Sequence, residues 1–106
     1  MNKTVVVKLA PASVMRESAF LETSELTKLT LAELHSYTDV CNRDCEDFSS
    51  DDELCEKLFV ISNAPYIDPM VRADYFGKSR SLSVGDVISI DGRCYVCAPF
   101  GWELVK

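Results

Sequence analysis

Val84-Gly85-Asp86-Val87-Ile88-Ser89-Ile90-Asp91-Gly92-Arg93-Cys94-Tyr95-Val96-Cys97 is the stretch that decides the fold. Asp-Gly between two runs of β-branched and aromatic residues is a strong hairpin signal, because a two-residue primed turn needs positive φ at both positions. Upstream, Val84-Gly85-Asp86 makes a tight turn into the hairpin. Downstream, Pro99-Phe100-Gly101 turns the chain into a last short strand at 102–105. The C-terminal quarter is therefore expected to be a small antiparallel β unit.

Working outward, residues 3–9 (Lys-Thr-Val-Val-Val-Lys-Leu) are β-branched with charged ends and read as a strand stopped by Pro11. Residues 13–21 carry Val14, Ala19 and Phe20 at the spacing of a short helix. Thr30-x-x-Glu33 forms a capping box, with Leu31, Leu34 and Tyr37 behind it, so a helix is expected to begin at Thr30. A second box, Ser50-x-x-Glu53, places Asp51, Asp52 and Glu53 in a first turn, where carboxylates favour the helix dipole. The apolar run 58–61 reads as a strand following that helix, 63–69 as a turn-forming loop, and 71–76 as a strand or loop. No repeat or Pro/Gly/Ser linker divides the 106 residues, so one α+β domain is expected. It has an N-terminal strand and two or three helices packed on a small, mostly antiparallel sheet, with a C-terminal β-hairpin unit.

Charge narrows the function classes. Residues 1–53 hold five basic and eleven acidic residues, and residues 54–106 hold six of each, so the whole net charge of −6 lies in the first half. Asp44, Glu46, Asp47, Asp51, Asp52, Glu53 and Glu56 follow one another with no base between them. Phosphate-backbone binding needs Lys and Arg to displace counterions, so this balance disfavours nucleic acid as a general partner and favours a basic protein surface. No apolar run is long enough to span a membrane, and residues 1–12 alternate charged and apolar residues instead of forming a signal peptide. A cytoplasmic location is the expectation.

Cys41, Cys45, Cys55, Cys94 and Cys97 are odd in number and read as reduced thiols. Cys94-Tyr-Val-Cys97 has the spacing of half a zinc site, with His35, Cys41 and Cys45 as the remaining donors. Residues three apart on a regular strand point to opposite faces, however, which argues against chelation, and no second CxxC exists. Neither metal nor cofactor is expected. The acidic stretch lacks the alternating ligands and central glycine of a calcium loop. His35 has no evident catalytic partner in the sequence, and Gly77-Lys78-Ser79 lacks the rest of a phosphate loop.

The segment 80–104, Arg-Ser-Leu-Ser-Val-Gly-Asp-Val followed by a tyrosine-containing strand and a Phe-Gly-Trp ending, resembles YodL-like domains. It is also similar to small uncharacterised proteins of bacteriophages and conjugative elements, in which an upstream apolar strand ends in Asn, as Leu58-Phe-Val-Ile-Ser-Asn63 does here. The likeness covers 58–105, and Cys94 and Cys97 depart from its pattern. It implies a bacteriophage or mobile-element setting, hence the cytoplasm of a bacterial host, and a β-rich part over 58–106; residues 1–57, which it does not match, read from their own charge and spacing as an acidic, mainly helical part. It supplies no catalytic residues. Within the block, Gly85-Asp86 reads as a turn and Arg80 with Asp86 as a local pair.

The expected function is accordingly a non-enzymatic protein-interaction module, an acidic inhibitor or modulator of a host or element-encoded protein. Asp44, Glu46, Asp47, Asp51, Asp52, Glu53 and Glu56 form its binding face. The alternative is a small nucleic-acid-binding module that uses the β-rich half, with Tyr66, Lys78, Arg80 and Arg93 as the contact surface.

Overall fold

The computed structural model describes residues 3–46 and 50–106. The chain runs β1 (Lys3–Leu9), α1 (Ala12–Ser18), α2 (Thr23–Glu33), a 3-10 turn (Leu34–Ser36), β2 (Thr38–Cys45), α3 (Asp51–Asn63), α4 (Pro69–Phe76), β3 (Val87–Ile90), β4 (Arg93–Ala98) and β5 (Gly101–Leu104). All five strands form one antiparallel sheet in the order β2-β1-β3-β4-β5, which makes the domain α+β.

The hairpin forms as its sequence requires. Asp91 and Gly92 both have positive φ, and Val87 to Ile90 pair with Val96 to Arg93. The turn is also tied to the first strand: Thr4 N–H donates to the Asp91 carboxylate at 2.8 Å, and Asp91 N–H donates to Thr4 O at 2.9 Å. β1 is thus gripped on both sides, by β2 and by β3.

Both faces of the sheet are covered. Val5, Val7, Leu9, Ile88 and Ile90 point to one face and pack with Leu54, Leu58 and Ile61 of α3 and Phe76 of α4. Val87, Cys94, Val96 and Ala98 point to the other and pack with Leu26 of α2. Each fully buried Val or Leu adds about 1.5–3 kcal/mol relative to exposure, so the alternation of β1 and β3 is the main source of cohesion. Cys94 and Cys97 lie on one strand and point to opposite faces, as the period of two requires.

Several elements differ from the sequence reading. Residues 58–61 are not a strand; they continue α3, whose buried Leu54, Cys55, Leu58, Ile61 and Ser62 follow a helical period. Residues 71–76 are neither strand nor loop but helix α4, started by Asp68, whose carboxylate accepts Met70 N–H, and by Pro69 in the first turn. α2 begins at Thr23, and Thr30 is buried in its interior instead of capping a new helix. β2 falls in the part read as mainly helical, just where the helix expected from Thr30 would have run on past Tyr37. The Ser50 box does cap α3, with Ser50 Oγ accepting Glu53 N–H at 3.1 Å.

The 80–86 block is a clasp that holds α3, β1 and β3 together. Asp86 is fully buried and accepts four hydrogen bonds: from both Arg80 guanidinium nitrogens (2.6 and 2.8 Å), Ala10 N–H (2.8 Å) and Ser83 N–H (2.8 Å). Arg80 also donates to Ala10 O at 3.0 Å. Ser81 Oγ donates to Ser62 O, Leu82 N–H donates to Ser62 Oγ, and Asn63 Nδ2 donates to Leu82 O. Gly85 takes φ +98°, and a Cβ there would stand 2.5 Å from Ser18 Oγ, so only glycine fits. Its carbonyl accepts the Tyr37 hydroxyl at 2.6 Å. Removing one member of a buried, fully bonded ion pair costs about 3–5 kcal/mol. Asp86→Ala should therefore lower the stability measured by urea denaturation by that order, and a loss below ~0.5 kcal/mol would show that the clasp does not hold the fold.

Candidate functional site

The acidic stretch is divided by the fold. Asp44 lies on β2 with its carboxylate accepting the Thr4 hydroxyl at 3.1 Å, and Glu46 follows the strand in an exposed position. Asp47 lies outside the described residues. Asp51 turns inward instead of joining an outer face. Its carboxylate binds Arg93 through two nitrogens (2.8 and 3.1 Å), Lys3 Nζ (3.1 Å) and the Tyr95 hydroxyl. These charge-assisted bonds, led by that of Arg93, hold the Asp51 carboxyl well below the usual carboxylate range. Asp51 is thus a joint between the start of α3, β1 and β4.

Asp52 and Glu56 remain outward, and both are exposed. Glu53 is exposed too, but sits one position round the helix, on the side of Lys57. Asp52, Glu56 and Phe59 occupy positions i, i+4 and i+7 and so form one stripe along α3. That stripe runs beside the edge strand β5. Phe59 meets Trp102 edge-on at 6.4 Å, and Glu56, Phe59, Cys97, Pro99 and Trp102 line a groove of about 170 Å³ between α3 and β5. Leu104 is opposite Tyr95 in the ladder and is 57% exposed; Phe100, at the tip of the β4–β5 turn, is 96% exposed.

A second groove, of about 250 Å³, lies between β2, α3 and α4. It is lined by Arg43, which covers the Tyr75 ring at 3.9 Å and pairs with Asp74 at 3.1 Å, and by Lys57, Asp44 and Glu46. Its charges are mixed, and Arg43 is already paired with Asp74, so it presents neither a cationic nor an anionic cradle.

The alternative contact surface does not converge. Arg80 is spent in the clasp on Asp86, and Arg93 is spent on Asp51 at the far end of the sheet. Tyr66 and Lys78 are exposed, Tyr66 before α4 and Lys78 after it. Tyr66, Met70 and Val71, before and on α4, are exposed apolar side chains.

The five cysteines are free and buried. Burial raises the Cys41, Cys45 and Cys55 thiols above their ordinary range and pushes Cys97 up to about 12, with nearby carboxylates adding to the effect at Cys55 and Cys97. A thiolate nucleophile needs the opposite environment. His35 is exposed in the turn after α2. Among the described residues no group of three or more His, Cys, Asp or Glu is placed to hold a metal ion, and no helix is long and apolar enough to cross a membrane.

Comparison of the chain with protein-family models, with curated proteins and with solved structures gives no match.

Two outcomes follow from this geometry. Because the Asp51 carboxyl is depressed in the folded state, its contribution is complete above the unfolded value of about 4 and disappears as pH falls toward the folded value. Asp51→Asn should therefore cost on the order of 2 kcal/mol near neutrality, and urea midpoints of the two proteins should converge on acidification below about pH 4. A difference independent of pH would contradict the ionic joint. At mildly alkaline pH, Ellman's reagent should find no reactive thiol in the folded protein and five after unfolding. Early labelling of any of the five would contradict their burial.

Proposed function

We propose that the chain is a YodL-like, non-catalytic protein-interaction module of a bacteriophage or mobile element, which binds a basic surface on a host or element-encoded protein. The observation that carries this reading is the sorting of charge. The inward acid, Asp51, consumes Lys3 and Arg93, while Asp52 and Glu56 are left outward on one helix stripe with no ion pair among the described residues. Unpaired surface carboxylates on a rigid helix steer a basic partner and set its orientation. The block that carries the resemblance is occupied with structure: Arg80, Ser81, Ser83, Gly85 and Asp86 all serve the clasp. The residues that meet a partner are then sought outside it. The burial of the thiols speaks against nucleophilic chemistry, and the commitment of Arg80 and Arg93 speaks against the nucleic-acid alternative.

The test is retention of lysate proteins on the immobilised protein at low and moderate salt, after nuclease treatment. Asp52→Lys/Glu56→Lys serves as the comparison, with its fold checked by circular dichroism. One protein held in stoichiometric amount by the native chain, and lost by the reversed variant at moderate salt, is the expected result. Equal retention by both, or retention of nucleic acid alone, would overturn it.

A further inference from the structure

Resting on that reading, we infer that the outer edge of β5 and the groove beside α3 receive an extended basic segment of the partner as a sixth strand of the sheet. β5 is the last strand on its side, so its outer backbone groups have no ladder partner. Val105 N–H turns inward to Cys94 O, and Glu103 pairs with Val96. The alternation of an antiparallel ladder therefore sends the amides and carbonyls of Trp102 and Leu104 outward, ready for a further strand.

The two edges of the sheet are not equivalent. β2 is broken by a register shift opposite Val7 and Lys8, its exposed positions are Thr38, Asp39, Asn42 and Asp44, and α4 reaches over it through the Arg43–Asp74 pair. Bulges and charges of this kind are how proteins blunt an edge. Within β5 there is no Pro, Lys or bulge over Gly101 to Leu104, and its outer rim carries Trp102 and exposed Leu104. The edge is thus left open where the other is closed.

Charge identifies the occupant. Beside the open edge stand Asp52 and Glu56 on α3 and Glu103 on β5, none in an ion pair among the described residues. Two copies of this chain joined edge to edge would bring two acidic rims together, whereas a segment alternating basic and apolar residues matches both features. On the face turned to α3 its Lys or Arg side chains lay their stems along Trp102 and the groove and reach Glu56 with their charged ends, while the alternating apolar side chains fall on the opposite face of the sheet. Main-chain pairing supplies the length of contact, and the groove and carboxylate supply the selection.

The test uses the full chain and a fluorescein-labelled peptide of alternating lysine and valine, with a glutamate–valine peptide as control. Binding is followed by anisotropy, and the backbone amides by nitrogen-labelled NMR. The lysine peptide should bind and slow amide exchange at Trp102 and Leu104. Binding should weaken on the order of tenfold in Glu56→Lys, and likewise in Leu104→Pro, which removes one outward donor without touching the inner ladder. Should Leu104→Pro fail to fold, Glu56→Lys and the amide pattern still decide the question.

Binding of the lysine peptide without protection of Trp102 and Leu104 would overturn strand addition while leaving the acidic-surface reading in place. Equal binding of both peptides would overturn the charge assignment, and no binding of either would overturn the site. Concentration-dependent protection of the same amides without peptide would show a second copy at the edge and overturn the basic occupant.

Discussion

A single carboxylate sets the arrangement. Asp86 sits at the start of β3 with no exposed surface, and a buried charge is tolerable only when donors surround it. Its donors come from three separate places: the end of β1 at Ala10, the preceding turn at Ser83, and the guanidinium of Arg80. Satisfying that one group fixes where the chain leaves β1 and where it re-enters the sheet after α4. The α3 end is drawn in through Ser62 and Asn63, and the packing of Gly85 against Ser18 sets how closely α1 can approach. The hydrophobic layers fill a frame whose corners this polar cluster defines.

The legible parts of the fold were those with local causes. Asp91-Gly92 announces its hairpin because the turn chemistry is confined to two residues, and Ser50 announces α3 because the cap lies within one turn of its donor. The 58–61 run misled because four apolar residues fit a strand and a buried helix equally. Only the preceding Leu54 and Cys55, and the packing of α3 across β1, choose between them. β2 was illegible for a different reason. Thr-Asp-Val-Cys-Asn-Arg-Asp-Cys is polar at alternate positions and weak in strand preference, and it is made a strand by the β1 edge beside it.

The candidate site shows the same division between what is local and what is not. Seven acids in one stretch suggested a uniform face, but sequence does not say which of them the fold will consume. Asp51 is captured by Arg93 and Lys3 from two other strands, forty or more positions away. The role of Glu56 depends on the strand opposite it, which follows only from the position of β5 in the sheet. Trp102 and Leu104, read as ordinary strand residues, gain their interest from being on an edge. A final strand after a Pro-Phe-Gly turn was the available signal, since a meander ends at an edge unless something pairs with it.

The position of β1 has a consequence for how the molecule is made. Although it comes first in the chain, it is an inner strand of the sheet, and its two neighbours arrive much later: Lys8 meets Asp39 at a separation of 31 residues, and Thr4 meets Asp91 at a separation of 87. A valine-rich segment therefore waits on the ribosome with one edge open until β2 is added and the other open until β3 follows. Such topology makes folding slow relative to helical domains of the same size and leaves a sticky strand uncovered until the end. The flanking Lys3 and Lys8 place charge at both ends of that strand, the arrangement by which gatekeeper residues discourage aggregation of exposed apolar strands, and in the folded protein Asp51 and Asp39 pair with them.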